Sequence, residues 1–219
     1  DLTALTEEVT YDLSDWVPLV QITEVVPTFF VLSESPLKNV ADWVKEAREK
    51  PGSLTVAHGR HLSVPHLPLI LFEKVAEIKN THVPTTGGSE ALAFVLGKKV
   101  DIGASVPSTI ASTVKSGTVR PLAVCSLERV AIFPDTPTMK ELGYEVVLPA
   151  WYTVFAPKGV PEETLKFLEE KFLEALKSEG AMEMAAKSDV LLTPYGRDKT
   201  AILYEGTISS LKMILADMK

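Results

Sequence analysis

Any chemistry in this chain has to come from a few short stretches. The stretch Pro84-Thr85-Thr86-Gly87-Gly88-Ser89 sets two glycines between hydroxyls, directly ahead of the apolar run EALAFVL. Adjacent glycines cost backbone entropy unless the main chain must pass where a side chain would obstruct it. The start of a helix presents free N–H groups and partial positive charge. Thr86, Gly87, Gly88 and Ser89 therefore suit the capture of a carboxylate or phosphate. They suit equally a plain tight turn capped by Ser89, and the motif alone leaves both readings open.

The remaining reactive side chains offer less. His58, His61 and His66 fall close together, but the nearest acids form no metal-ligand spacing with them. A loop histidine donating to an anion is the better reading, and no metal is expected. Asp101 and Asp135 have no partner carboxylate at a readable spacing, so no acid–base pair is visible. Cys125, in RPLAVCS, reads as a buried strand thiol, and a lone cysteine excludes an internal disulfide. Trp151 and Tyr152 could wall a cleft, with core packing as the default. Gly97-Lys98 ends a helix instead of opening one, so there is no phosphate-binding Gly-Lys loop. No G-x-S-x-G or G-x-G-x-x-G occurs, and no cofactor is expected.

Composition narrows the class. The 219 residues carry a net charge of −7, without a basic stripe, which argues against nucleic acid as a partner. A small anion is not excluded, because main-chain amides can hold one without net positive charge. Mean hydropathy is +0.15, yet the longest uncharged apolar run, residues 25–32, is broken by Pro27 and Thr28. Nothing approaches the ~20 residues that span a bilayer. Asp1-Leu2-Thr3 opens without a basic or apolar leader, which fits a cytosolic protein, a mature secreted one or a fragment.

These loops need elements to position them, and the sequence supplies a repeated grammar of apolar strand, small-residue loop and helix. SLTVA leads through HGRHLSVPH into LPLILFEKVAE; EIKNTHV leads through PTTGGS into EALAFVL; KKVDIGA leads through SVPS into TIASTVKS. A strand, VRPLAVCS, closes the series. Glycines 97 and 117 read as left-handed helix stops and Pro107 as a first helical residue. Such alternation implies right-handed crossovers and a mostly parallel sheet, with the three loops gathered beyond the carboxyl ends of the strands. DWVPLVQITEVVPTFFVLS reads as strands, and LKNVADWVKEAREK as a helix ended by Pro51-Gly52. Past residue 150, a helix follows Pro161 with Leu165, Leu168, Phe172 and Leu176 as its apolar stripe. A short helix (181–187), a strand-like DVLLTP and a terminal helix (199–218) complete the chain. Extended Pro-containing stretches near 25–28 and 148–152 are the candidate crossings between two domains.

The segment HVPTTGGSEALAFVLGKKVDIGASVPSTIASTVKSGTVRPLAVCS resembles the middle of the extracytoplasmic solute-binding proteins of tripartite tricarboxylate transporters, also called Bug receptors. In them a VPYKGG-like turn follows a strand and precedes a short helix. ERVAIFPDTPTMKELGYE and AWYTVFAPKGVPEETL are similar to the family's R…PDVPT…E-G and WYGLFAP-G-P segments. YDLSDWVPL and KEAREKPGSLTVAHG match its run into the second domain. The resemblance implies an α/β, two-lobed periplasmic-binding-protein-like fold with parallel-rich sheets. One lobe, residues 28–149, would be complete; the other would be represented only by residues 1–27 and 150–219. It implies a carboxylate held by loop amides and hydroxyls, here Gly59, His61 and Ser63; Thr86, Gly87, Gly88 and Ser89; and Ala104 and Ser105. Thr85-Thr86 departs from the family's aromatic-Lys pair.

The resulting expectation is a periplasmic or extracytoplasmic solute-binding protein, without catalytic residues, that delivers a small carboxylate to membrane transporter subunits. Roughly 80 residues of the family pattern are absent at the front, so the chain reads as a fragment expected to self-associate or to pair with the absent N-terminal piece. Two rivals stand beside it: an effector-binding domain of a regulator, and an enzyme using the Gly-Gly turn for a phosphate.

Overall fold

The computed structural model describes residue 10, residues 12–187, residue 190 and residues 192–216. Tyr11, Asp189 and the end of the terminal helix expected to reach residue 218 lie outside the described residues. The chain divides into two compact units, Val26–Pro149 and Asp1–Val25 with Ala150–Lys219.

The unit Val26–Pro149 follows the strand–loop–helix grammar. After β1 (Trp16–Val25) in the other unit come β2 (Thr28–Leu32), α1 (Val40–Glu49), β3 (Thr55–His58), α2 (His66–Ala76) and β4 (Thr81–Pro84). Then follow α3 (Gly88–Leu96), β5 (Ile102–Ser105), α4 (Pro107–Lys115) and β6 (Val119–Val124). The sheet order is β4-β3-β5-β2-β6. Strand β3 pairs parallel with β4 and β5, whereas β2 pairs antiparallel with β5 and β6. The four strands linked by helices thus share one direction, and β2, which precedes the repeated units, is inserted against it. The sheet is therefore mixed where the crossover pattern suggested mostly parallel pairing.

Alternation along the strands sends side chains to two faces. Phe29 and Val31 join Val56, Ile102 and Ala104 beneath α1 and α2, where Trp43 packs edge-on to Phe29 and Phe72 at 5.2 and 4.9 Å between ring centroids. Phe30 and Ala57 turn the other way, toward Ala91 and Val95 of α3 and Ile110 of α4. Pro107 opens α4 as its sequence suggests, and Gly117 is left-handed (φ 74°). Gly97 is not: its φ is −80°, and the left-handed position falls on Lys98. The third loop also begins later than the sequence suggests, since Ala104 and Ser105 are the buried last residues of β5.

The other unit is antiparallel. β1 is flanked by β7 (Ala150–Pro157) and β8 (Leu192–Tyr195), with α5 (Glu162–Leu176), α6 (Glu179–Lys187) and α7 (Arg197–Ala216) completing the unit. Its core gathers Leu19, Val20, Ala156 and Leu165, with Leu168, Leu173 and Leu176 packed alongside. Phe172, expected in that stripe, is 37% exposed and Leu173 takes the inward place. Buried Gln21 is tied down on both sides: its N–H donates to Thr200 Oγ1 (3.3 Å) and its Nε2 to Thr193 Oγ1 (3.0 Å). Tyr152 on β7 is 64% exposed, so it is not a core residue of this unit.

The closest approach in the larger sheet is at Gly103, where a Cβ would run into the Phe30 ring. Gly103→Ala is expected to lower the unfolding free energy by about 1–3 kcal/mol through overpacking. Gly206→Ala, on α7 where a Cβ meets nothing within 4 Å, should raise it by about 0.5–1 kcal/mol through helix propensity. Urea unfolding of both variants checks the pair, and equal midpoints would contradict this packing.

Candidate functional site

Because β4, β3 and β5 are adjacent and parallel, their carboxyl ends open at one mouth. The pairings His58↔Pro84 and Ala57↔Gly103 hold the strand ends level. The loops beyond them touch. A Cβ at Gly59 would lie 2.9 Å from Ser63 Oγ and 3.9 Å from Gly87 Cα, and one at Gly88 would collide with Ser105 Oγ and come within 3.5 Å of Thr109 Oγ1. Thr85 stitches the first two loops together: its N–H and its hydroxyl both donate to His58 O, at 2.9 and 2.8 Å. Gly59, Ser63, Gly87, Gly88 and Ser105 are thus brought together.

Two polar atoms there are conspicuous. The hydroxyls of Ser63 and Ser105 are buried without a hydrogen-bond partner among the described residues, and Ser105 is wholly inaccessible. Burying an unpaired hydroxyl costs about 1–3 kcal/mol. Ser105 Oγ sits against Gly88, the first residue of α3, where the amides of the first turn lack helical acceptors. A Cβ at Gly87 would meet nothing within 4 Å, so that residue borders open space.

Other sequence candidates have different duties. Ser89 does not cap α3; the cap position is Gly87, with no side-chain cap bond, and Ser89 is exposed in the first turn. Thr86 donates both its N–H and its hydroxyl to Glu90 Oε2, at 2.7 and 2.8 Å. Those two bonds pull the Glu90 carboxyl below its usual range. Ala104 packs its methyl into the core, so only its main chain could serve a site. His61 is exposed, its ring 5.1 Å from that of His66. Asp101 is occupied by Thr55, accepting from its N–H (2.8 Å) and hydroxyl (2.6 Å). Cys125 is fully buried, and desolvation pushes its thiol far up, away from thiolate chemistry.

Sequence reasoning missed two members of the histidine group. His82 reaches it from β4, where it pairs with Val56, and Glu73 from α2. His58 and His66 stack at 3.8 Å and 4°. Nitrogen atoms of His58, His66 and His82 lie within 4.8 Å of one another. Imidazole lone pairs lie in the ring plane, so stacked parallel rings aim theirs side by side instead of at a common ion. The trio is better described by its hydrogen bonds: Leu62 N–H donates to His66 Nδ1 (2.9 Å), His66 Nε2 meets His82 Nδ1 (3.0 Å), and His82 Nε2 meets Glu73 Oε2 (2.9 Å).

Residues 4–216 match the model of the tripartite tricarboxylate transporter family receptor. The chain belongs to that family. It is 30% identical over 165 residues to the UPF0065 protein in the gbd 5′ region of Cupriavidus necator, covering 75% of this chain and 50% of that protein. It is 29% identical over 186 residues to BugT of Bordetella pertussis, covering 83% of this chain and 57% of BugT. The chain thus spans about half the length of the curated relatives it matches. A TctC solute-binding protein from Polaromonas, solved without ligand, superposes with a TM-score of 0.88 at 18% identity over 95% of this chain and 72% of that one. Rpa4515 of R. palustris with adipate (TM-score 0.74, 24% identity, 94% and 70% covered) and MatC of Rhodopseudomonas palustris with bound malate (0.71, 22%, 97% and 73%) share the fold. The α/β fold is that of these solute-binding proteins.

Burial pulls the His66 imidazole from 6.5 down to about 3, with the neighbouring His58, His82 and His61 adding to the shift. The unfolded chain takes up that proton near pH 6.5, the folded chain only near pH 3. Between those values the unfolded state binds more protons, so stability is full above about pH 6.5 and is lost on acidification toward pH 3. Urea unfolding from pH 7 to pH 4 should show this fall, with a shallower slope in His66→Gln. Equal slopes would contradict the burial of a neutral His66.

Proposed function

We propose that this chain is part of an extracytoplasmic solute-binding receptor that captures a small carboxylate and delivers it to the membrane subunits of a tripartite tricarboxylate-type transporter. The observation that carries this reading is the unpartnered, fully buried Ser105 hydroxyl against Gly88 at the start of α3. A carboxylate oxygen brought to the start of α3 would accept from first-turn amides favoured by the helix dipole, and from that hydroxyl once the crowded loops part to admit it. Ser63 adds a second hydroxyl from the neighbouring loop. Family membership and the malate and adipate bound by MatC and Rpa4515 support carboxylate as the class. A periplasmic location follows from the same role, and no described helix is long and apolar enough to cross a membrane.

Gly87→Ala separates a ligand role from a structural one, because its added methyl enters open space and its φ of 173° is ordinary extended backbone. In a thermal-shift panel, malate or adipate should raise stability by about 2.7 kcal/mol at a hundredfold excess over Kd. Gly87→Ala should keep its ligand-free stability and lose at least tenfold in affinity, about 1.4 kcal/mol. Consumption of malate or adipate, or a response to nucleotides and phosphosugars alone, would favour the enzyme reading.

Association is the second part of the proposal. The unit built on β1 exposes Phe167 (59%), Met182 (59%), Met184 (71%) and Ile202 (70%). Exposed apolar side chains mark a contact surface where they are contiguous. We assign them to association with a second copy when the chain is alone, or with the further residues its longer relatives carry. Light scattering should show concentration-dependent self-association that Ile202→Lys and Met184→Lys weaken; a strictly monomeric chain would contradict it.

A further inference from the structure

The histidine group beneath the mouth has a direction. Leu62 N–H can only donate, so His66 Nδ1 must be the acceptor and the ring's proton sits on Nε2. That proton then points at His82 Nδ1, which must accept, leaving the His82 proton on Nε2, facing Glu73 Oε2. The other Glu73 oxygen accepts from Asn80 N–H and Nδ2, both at 2.8 Å, and Asn80 Oδ1 accepts from Trp43 Nε1 at 2.9 Å. A second proton on either ring would set two N–H groups against each other across a bond of about 3 Å, so both imidazoles are neutral. The first bond of the chain lands on strained backbone: Leu62 has φ 56°, a left-handed conformation that non-glycine residues adopt only when held.

We propose that Glu73, His82 and His66 form a one-way hydrogen-bond relay whose function is to position residues 59–65, the first loop of the mouth, by holding the Leu62 N–H. The three act through one another from α2 and β4, and reach the loop only through the Leu62 N–H, so they are positioning residues. Their bearing on carboxylate capture rests on the receptor reading above, since the loop they set carries Gly59 and Ser63. The titratable groups facing His66 are His58 from β3, His61 from the loop, His82 from β4 and, through His82, Glu73. His58 donates to its own neighbour, Gly59 O, at 2.6 Å, which fixes its proton on Nδ1 and keeps it outside the relay.

Direction gives the relay a signature that plain packing would not have. Glu73→Gln is nearly isosteric, and the amide can still accept from Asn80 through its oxygen. Its NH2 then faces the His82 N–H. Relief requires His82 to move its proton to Nδ1, which forces His66 to do the same and sets two donors against each other at Leu62. Glu73→Asp keeps an acceptor-only group and should preserve the order.

The test uses the full chain labelled with 15N at pH 7. Long-range imidazole spectra should show neutral His66 and His82, both protonated on Nε2, and the Leu62 amide should be protected from exchange. In Glu73→Gln both rings should shift toward the Nδ1–H form and the Leu62 amide should exchange at least tenfold faster, with Glu73→Asp retaining the wild-type pattern. Wild-type rings protonated on Nδ1, or a Glu73→Gln variant with tautomers and Leu62 exchange unchanged, would overturn the relay. If Glu73→Gln does not fold, the wild-type tautomers and Glu73→Asp still decide. No ligand enters these readings, so failure of malate and adipate to bind would remove the receptor reading and leave the relay standing.

Discussion

The level carboxyl ends of β4, β3 and β5 are the constraint on which the rest of the mouth depends. Parallel strands leave a sheet on the same side, and here the register brings His58, Pro84 and Ser105 to one edge. Three loops are then compelled to share a small volume. Glycine at 59 and 88 follows from that crowding, since a Cβ at either would press on a serine hydroxyl. The buried hydroxyls follow too: they sit where loops converge, without a hydrogen-bond partner among the described residues.

Charge works differently here from a basic binding face. The chain is acidic at −7, and the proposed site would draw its attraction from helix-start amides and hydroxyls. The exposed Glu90 carboxylate already takes the Thr86 N–H and hydroxyl, an internal instance of the chemistry proposed for the ligand. A ligand using Thr86 would have to displace Glu90, so Ser63, Gly87, Gly88 and Ser105 form the better-founded part of the site.

Much of this was legible in the residues. The strand–loop–helix units could be read because apolar strands, small loops and apolar helices repeat, and the Gly-Gly turn stood out because glycine pairs are conformationally costly. What could not be read was set by pairing across the sheet. The antiparallel entry of β2 leaves no mark in its own sequence, TFFVL. His82 joins the histidine group only because β4 pairs with β3, and Glu73 only because α2 carries it to the same place. Ser89 looked like a cap from its place before an apolar run, but the helix begins two residues earlier than that, at Gly88, and Glu90 answers Thr86 instead. Phe172 and Leu173 are adjacent and both apolar, so helical periodicity alone could not choose which one turns inward.

Amide-resolved NMR of the full chain, titrated with malate to millimolar concentration, tests the central claim most directly because it locates even weak binding. The account predicts saturable shifts concentrated at Gly59, Ser63, Gly87, Gly88, Ser89 and Ser105, with no change in the malate itself. Shifts that avoid these residues, or that appear with nucleotides and not with carboxylates, would contradict it.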